Sequence, residues 1–134
     1  MSSELEQACN YLINNAQPKP TGMCAKFVRQ AIDAGFNDEI KAGKRKPVEH
    51  ALEAKIYGSS LEKFGFKKIF CFPEDGTLTD YKEEIGDVAI IKYEPHGHMC
   101  MFTKKGWISD FIQRDMYGGK IRESNPDFDI YRIC

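Results

Sequence analysis

Three side chains in this sequence have the types to act together as a nucleophile, a general base and a carboxylate that orients the base: Cys24, His98 and Asp110. A thiolate is a nucleophile, and an imidazole can take the thiol proton and later return it. A carboxylate can hold that imidazole in one orientation. Histidine's ordinary pKa near 6.5 suits it to this exchange. His98 heads an apolar strand, Gly97-His98-Met99-Cys100-Met101-Phe102, at the rim of a core. Asp110 follows twelve positions later, within Trp107-Ile108-Ser109-Asp110-Phe111. If the chain turns back through Lys104-Lys105-Gly106, His98 and Asp110 come side by side across a hairpin. Gln113 and Asp115 are the alternative partners for the ring, with Asp110 then an exposed turn carboxylate.

The nucleophile needs a helix. Cys24, Phe27, Val28, Ala31 and Ile32 recur at the spacing of one helical face, which predicts a helix within residues 22–35. Thr21 is the expected N-cap, and Gly35 the expected left-handed C-cap. Cys24 then sits at the first turn, where unpaired N–H groups and the helix dipole lower a thiol's pKa. Alone, a cysteine on an apolar face is simply a small buried hydrophobe. The distant histidine is what makes the reactive reading the sharper one.

Other elements follow from pattern. Ser3 to Gln17 reads as an amphipathic helix, with Ser3 and Glu6 as a capping box and Leu5, Ala8, Cys9, Leu12 and Ile13 as its stripe. Pro18 and Pro20 end it. Residues 37–47 read as a polar loop in which Lys44-Arg45-Lys46 is solvated. Val48 to Ile56 reads as a short helix and Ser59 to Phe64 as another, ended by Gly65. Tyr57-Gly58 between them reads as a helix end with an anchored aromatic, with a substrate contact as the other reading. Strands are expected at 66–72, 87–93, 97–103, 107–112 and 128–133, the last alternating. Helices first and an antiparallel sheet second make an α+β domain, a single unit over residues 1–134.

Composition sets limits. The chain has 134 residues, 42% hydrophobic and 29% charged, with a net charge of −1. A domain of this length can bury a core without disulfides. The charge argues against nucleic acid as a partner. No stretch is long and apolar enough for a membrane span, and residues 1–17 do not resemble a secretory signal. The expectation is synthesis in the cytoplasm. Five cysteines, at 9, 24, 71, 100 and 134, include no CxxC pair, and the pattern does not say which of them pair. His96, His98 and Cys100 are spaced as strand metal ligands could be, but Pro95 and Gly97 argue against a regular strand at His96, so no metal or cofactor is expected.

These motifs, in this order, resemble the papain-like cell-wall hydrolases: the NlpC-type peptidases and the CHAP amidases. The matching residues are Cys24 with Ala25-Lys26-Phe27-Val28-Arg29, then Gly86-Asp87-Val88-Ala89-Ile90, then Gly97-His98, then Asp110. The run from Trp107 to Asp115 is similar to small CHAP-like bacterial proteins, among them amidase toxins delivered by type VI secretion. The resemblance spans roughly residues 20–132 and implies a papain-like fold with N-terminal helices on a small antiparallel sheet. It implies hydrolysis of an amide bond in the peptidoglycan stem peptide, with Cys24, His98 and Asp110 catalytic. It also implies secretion towards the cell wall of a target bacterium and an immunity protein as inhibitor. Met23 departs from the Asp or Ser that NlpC-type members carry before the cysteine. A catalytically inactive binding module of the same fold, and a thiol protease or transglutaminase acting on protein, are the alternatives.

Overall fold

The structure, a computed structural model, describes residues 3–133. Helix α1 spans Ser3–Asn15 and buries Leu5, Ala8, Cys9 and Leu12, as its stripe requires. Helix α2 spans Cys24–Gly35 and buries Val28, Ala31, Ile32 and Gly35. The two helices pack on each other. Gly35 is not the left-handed cap that its position suggests: it is the last helical residue, and Phe36 caps the helix at φ −102°. Its role is close approach, because a Cβ there would overlap the carbonyl oxygen of Glu4 and press on Ala8. Thr21 is not the N-cap either. That position falls to Met23, which makes no side-chain cap hydrogen bond.

Residues 37–56 correct the sequence reading in both directions. Asn37–Lys41 forms a short helix, α3, with Asp38 and Glu39 in its first turn and Lys41 in its last, which suits the helix dipole. Residues 48–53 are not helical; only a 3₁₀ turn at Ala54–Ile56 precedes α4, Gly58–Phe64. The backbone N–H of Val48 is drawn to Asp33 Oδ1 at 2.8 Å, which pins the segment against the end of α2 instead. Arg45 leaves the solvated run, its guanidinium 4.8 Å from the Phe36 ring centroid and 4.5 Å from that of Phe64. Gly65 ends α4 at φ 128°, as expected.

Five strands form one antiparallel sheet: β1 (Lys67–Phe72), β2 (Val88–Ile91), β3 (His98–Thr103), β4 (Gly106–Ile108) and β5 (Phe128–Arg132), in the order β1-β5-β2-β3-β4. The last strand thus inserts between the first and second. On one face Val88, Ile90, Met99, Met101 and Ile108 meet the helices. On the other, Ala89, Ile91, Cys100, Phe128 and Ile130 are covered by Tyr81, Met116 and Tyr117. With both faces covered, Phe128, Asp129, Ile130 and Tyr131 are all buried, so β5 does not show the alternation expected of a half-exposed strand. Asp87, fully buried, ties β2 to β5: Arg132 donates to it from Nε at 2.7 Å and from Nη2 at 2.9 Å, and the Tyr81 hydroxyl donates at 2.6 Å.

The strand expected at 107–112 stops at Ile108. The register Phe102↔Trp107 places Ile108 opposite Met101. The chain then reverses: Ser109 N–H donates to the Phe111 carbonyl, and Gln113 N–H returns to the Trp107 carbonyl at 2.9 Å. Cys9, Cys24, Cys71 and Cys100 are free thiols, and Cys134 lies outside the described residues. Among the described residues no helix is long and apolar enough to cross a membrane.

Candidate active site

A cleft of about 450 Å³ opens where the start of α2, the segment 50–57 and the turn into β3 meet. Cys24, His98 and Asp110 all line it. The three sequence-predicted residues therefore share one cavity, although they arrive from a helix, a strand and a chain reversal. His50, Glu53, Tyr57 and His96 also border it, and the periodicity of the sequence does not mark them as a group.

Cys24 opens α2. No side chain caps this helix, so the first-turn N–H groups are left without helical partners. The thiol does not take the lowered pKa expected of that position. Burial pushes it above its ordinary value, the backbone N–H of Met99 opposes this, the Asp110 charge adds to it, and the N–H groups of Ala25 and Cys24 pull it back in part. Desolvation outweighs the helix terminus because the sulfur is packed against the helix-side core. At neutral pH the resting form is the thiol.

His98 lines the same cleft, and its hydrogen-bond partner is Gln113. His98 Nε2 and Gln113 Oε1 lie 2.7 Å apart. The amide nitrogen of Gln113 donates to the carbonyls of Asp115 at 2.9 Å and Met116 at 3.0 Å. With its donors spent there, the amide must present its oxygen to the ring. Nε2 therefore carries the proton and Nδ1 is the free acceptor. Gly118 packs on this pair; a Cβ there would press at 3.3 Å on Gln113 Nε2 and on His98 Nε2. Burial holds the His98 pKa below its ordinary value, with the Gln113 hydrogen bond and the Asp110 charge opposing. The ring is therefore neutral, and able to accept a proton, at pH 7.

Asp110 is buried, at 2% exposure. Its hydrogen bonds go to the nucleophile's side of the cleft. Oδ2 accepts from Thr21 N–H at 2.6 Å, the Thr21 hydroxyl at 2.8 Å and Met23 N–H at 3.2 Å. Oδ1 accepts from the Ser109 hydroxyl at 3.0 Å. Burial alone would raise the carboxyl pKa, but these four donors hold it below its ordinary value. The sequence reading pairs Asp110 with His98 across a continuous hairpin. The reversal after Ile108 instead points Asp110 at the loop before Cys24 and carries Gln113 back to the histidine. The Asp110 charge still bears on both Cys24 and His98, favouring the protonated form of each.

The metal spacing resolves into three separate partners. His96 Nδ1 meets Glu53 Oε2 at 2.6 Å, His98 meets Gln113, and the Cys100 thiol donates to the Met116 carbonyl at 3.3 Å. Asp115 pairs with Arg122 at 2.9 Å and does not orient His98.

The fold and cleft define an α+β protein with a thiol and a tautomerically fixed imidazole in one cavity. No protein-family model matches the chain, those of the NlpC-type and CHAP hydrolases included, and no curated protein matches it. Two solved structures do. One, described as the type VI native effector–immunity complex Tae3–Tai3 from Ralstonia pickettii, matches with a TM-score of 0.79 at 30% identity, over 99% of this chain and 100% of that chain. The selenomethionine form of the same complex matches with a TM-score of 0.71 at 32% identity, over 93% of this chain and 98% of that one. The chain belongs to a family represented in that type VI effector–immunity complex, as the effector or as the immunity protein.

Proposed function

We propose that this chain is the effector of such a pair: a papain-like thiol amidase that cuts an amide bond of the peptidoglycan stem peptide in a target bacterium. The observation that carries the reading is the cleft itself, where Cys24 at a helix start and His98 with Nδ1 free line the same cavity.

In the proposed reaction, His98 Nδ1 takes the thiol proton as Cys24 Sγ attacks the carbonyl carbon. The Cys24 N–H donates to the developing oxyanion, a contribution worth a few kcal/mol in related chemistry. The imidazolium returns its proton to the leaving amine as the carbon–nitrogen bond breaks, leaving a thioester. Water then attacks the thioester, His98 takes a proton from that water, and the acid product departs as the thiol is restored. Gln113 keeps the ring in register, and Asp110 holds the chain from Thr21 to Met23 from which Cys24 projects.

The partner reading draws on the cleft's surroundings. Met23 (48%) and Leu52 (89%) stand exposed on its lining. An apolar rim of this kind suits a protein partner that covers the site, such as an immunity protein.

Mass spectrometry of purified sacculi digested with the protein tests the activity. The expected products carry one new amine and one new carboxyl at a single stem-peptide bond. Sacculi left intact, or cut in the glycan strand, overturn the proposal.

A further inference from the structure

Among the described residues, two carboxylates line the cleft, Glu53 and Asp110, and they differ in what they can still hold. Asp110 is buried, and its oxygens already accept from Thr21, Met23 and Ser109. Glu53 keeps 31% of its side chain exposed, and its Oε2 meets His96 Nδ1 at 2.6 Å. A carboxylate only accepts, so Nδ1 is the donor of that bond. Two carboxylate oxygens offer about four acceptor positions, and one bond leaves room for another donor. His96 lines the cleft as well, with 75% of its side chain exposed.

The pair stands on a fixed frame. Lys55 N–H donates to the His96 carbonyl at 3.0 Å, and Lys55 Nζ reaches both oxygens of Glu94, at 2.9 and 3.1 Å. Gly97, at φ 77°, lets the two segments touch: a Cβ there would overlap Lys55 Cβ and the Lys55 backbone nitrogen. These contacts already join residues 53–55 to the turn before β3. An ion pair as exposed as Glu53–His96 adds little to stability, so holding the fold does not account for it. Nor is its charge cancelled on this wall. Lys55 spends its ammonium on Glu94 and is not part of the lining, and the lysine that is, Lys26, belongs to α2.

We infer that the Glu53–His96 pair is a subsite for a basic group of the substrate, with Glu53 accepting from an ammonium carried by the peptide in the cleft. A charge-assisted hydrogen bond of this kind is among the stronger ones, and a carboxylate held in place by a neighbouring ring loses less freedom in forming it. The inference rests on the cleft being the substrate site proposed above.

The test is titration calorimetry with a soluble cross-linked disaccharide–peptide dimer, released from sacculi by a muramidase and used with its free amino groups intact or acetylated. Both forms are titrated into Cys24→Ala and into Cys24→Ala/Glu53→Gln. The Cys24→Ala protein should bind the free-amine form roughly tenfold more tightly than the acetylated one, the scale of one charge-assisted hydrogen bond. The double variant should bind the two forms alike, with an unchanged melting temperature. A preference that survives Glu53→Gln overturns the inference, and so does a Cys24→Ala protein that shows no preference or binds neither form. Cleavage of sacculi is read separately on the parent protein. An amine preference without cleavage removes only the proposed hydrolysis, and cleavage without the preference removes only this subsite.

Discussion

Gln113 settles which nitrogen of His98 can take a proton, and it does so through two carbonyls that are themselves fixed by the chain around Asp115 and Met116. That dependence is measurable. His98 sits below its ordinary pKa because burial disfavours the charged ring, while the Gln113 hydrogen bond favours it. In the proposed reaction the neutral ring is the active form, so kcat/KM should fall as pH drops through the folded-state pKa, which lies below the ordinary value. Gln113→Leu removes the contact that raises this pKa. The acid limb of the pH profile should then move to lower pH. The rate at the plateau should fall by about tenfold or more, within the roughly 10²–10⁴-fold that positioned acid–base transfer contributes. An acid limb that stays in place would show that Gln113 does not set the ring's proton affinity. Cys24 and His98 were legible in the sequence because each carries a local mark, a helix start in one case and the head of an apolar strand in the other. Gln113 stood only among the alternatives, since its amide gains meaning from carbonyls that no spacing rule locates.

At the scale of elements, the reversal after Ile108 organises the cleft. It converts the expected third strand of a meander into a clamp, with Gln113 returned to Trp107 and the Asp110 carbonyl accepting from Gln17 N–H at 2.7 Å. The Asp110 carboxylate then holds three donors from the loop that leads into α2. Asp110→Ala removes the buried carboxylate and its hydrogen bonds to Thr21 and Met23; hydrogen bonds to a charged group contribute about 1.5–3 kcal/mol each and are not additive. A loss of more than about 2 kcal/mol in chemical denaturation is expected, together with slower reaction of Cys24 towards an uncharged alkylating agent. A variant as stable and as reactive as the parent would show that the loop before Cys24 stands without Asp110. Local periodicity made α1, α2, α4 and the positions of most strands readable. Where each strand ended was set by tertiary partners, and so was the insertion of β5 between β1 and β2. Residues 48–53 were misread for the same reason: the tether from Val48 to Asp33 overrides a weak helical pattern.

Across the whole molecule, three segments distant in the chain converge on one cleft: the start of α2, the 50–57 segment and the head of β3. The sheet's two cores hold the last of these rigid, because Met99 and Cys100 are fully buried on opposite faces next to His98. The likeness to an effector–immunity complex extends over nearly all of the chain, so it concerns the fold as a whole and not one motif. The account stands on the thiol and the imidazole acting together in that cleft. The most direct measurement is the rate of muropeptide release from sacculi by the parent protein, Cys24→Ala and His98→Ala, each with its circular dichroism spectrum shown to match. The account predicts release by the parent and none above background from either variant. Release by a folded Cys24→Ala or His98→Ala protein at the parent's rate would contradict it.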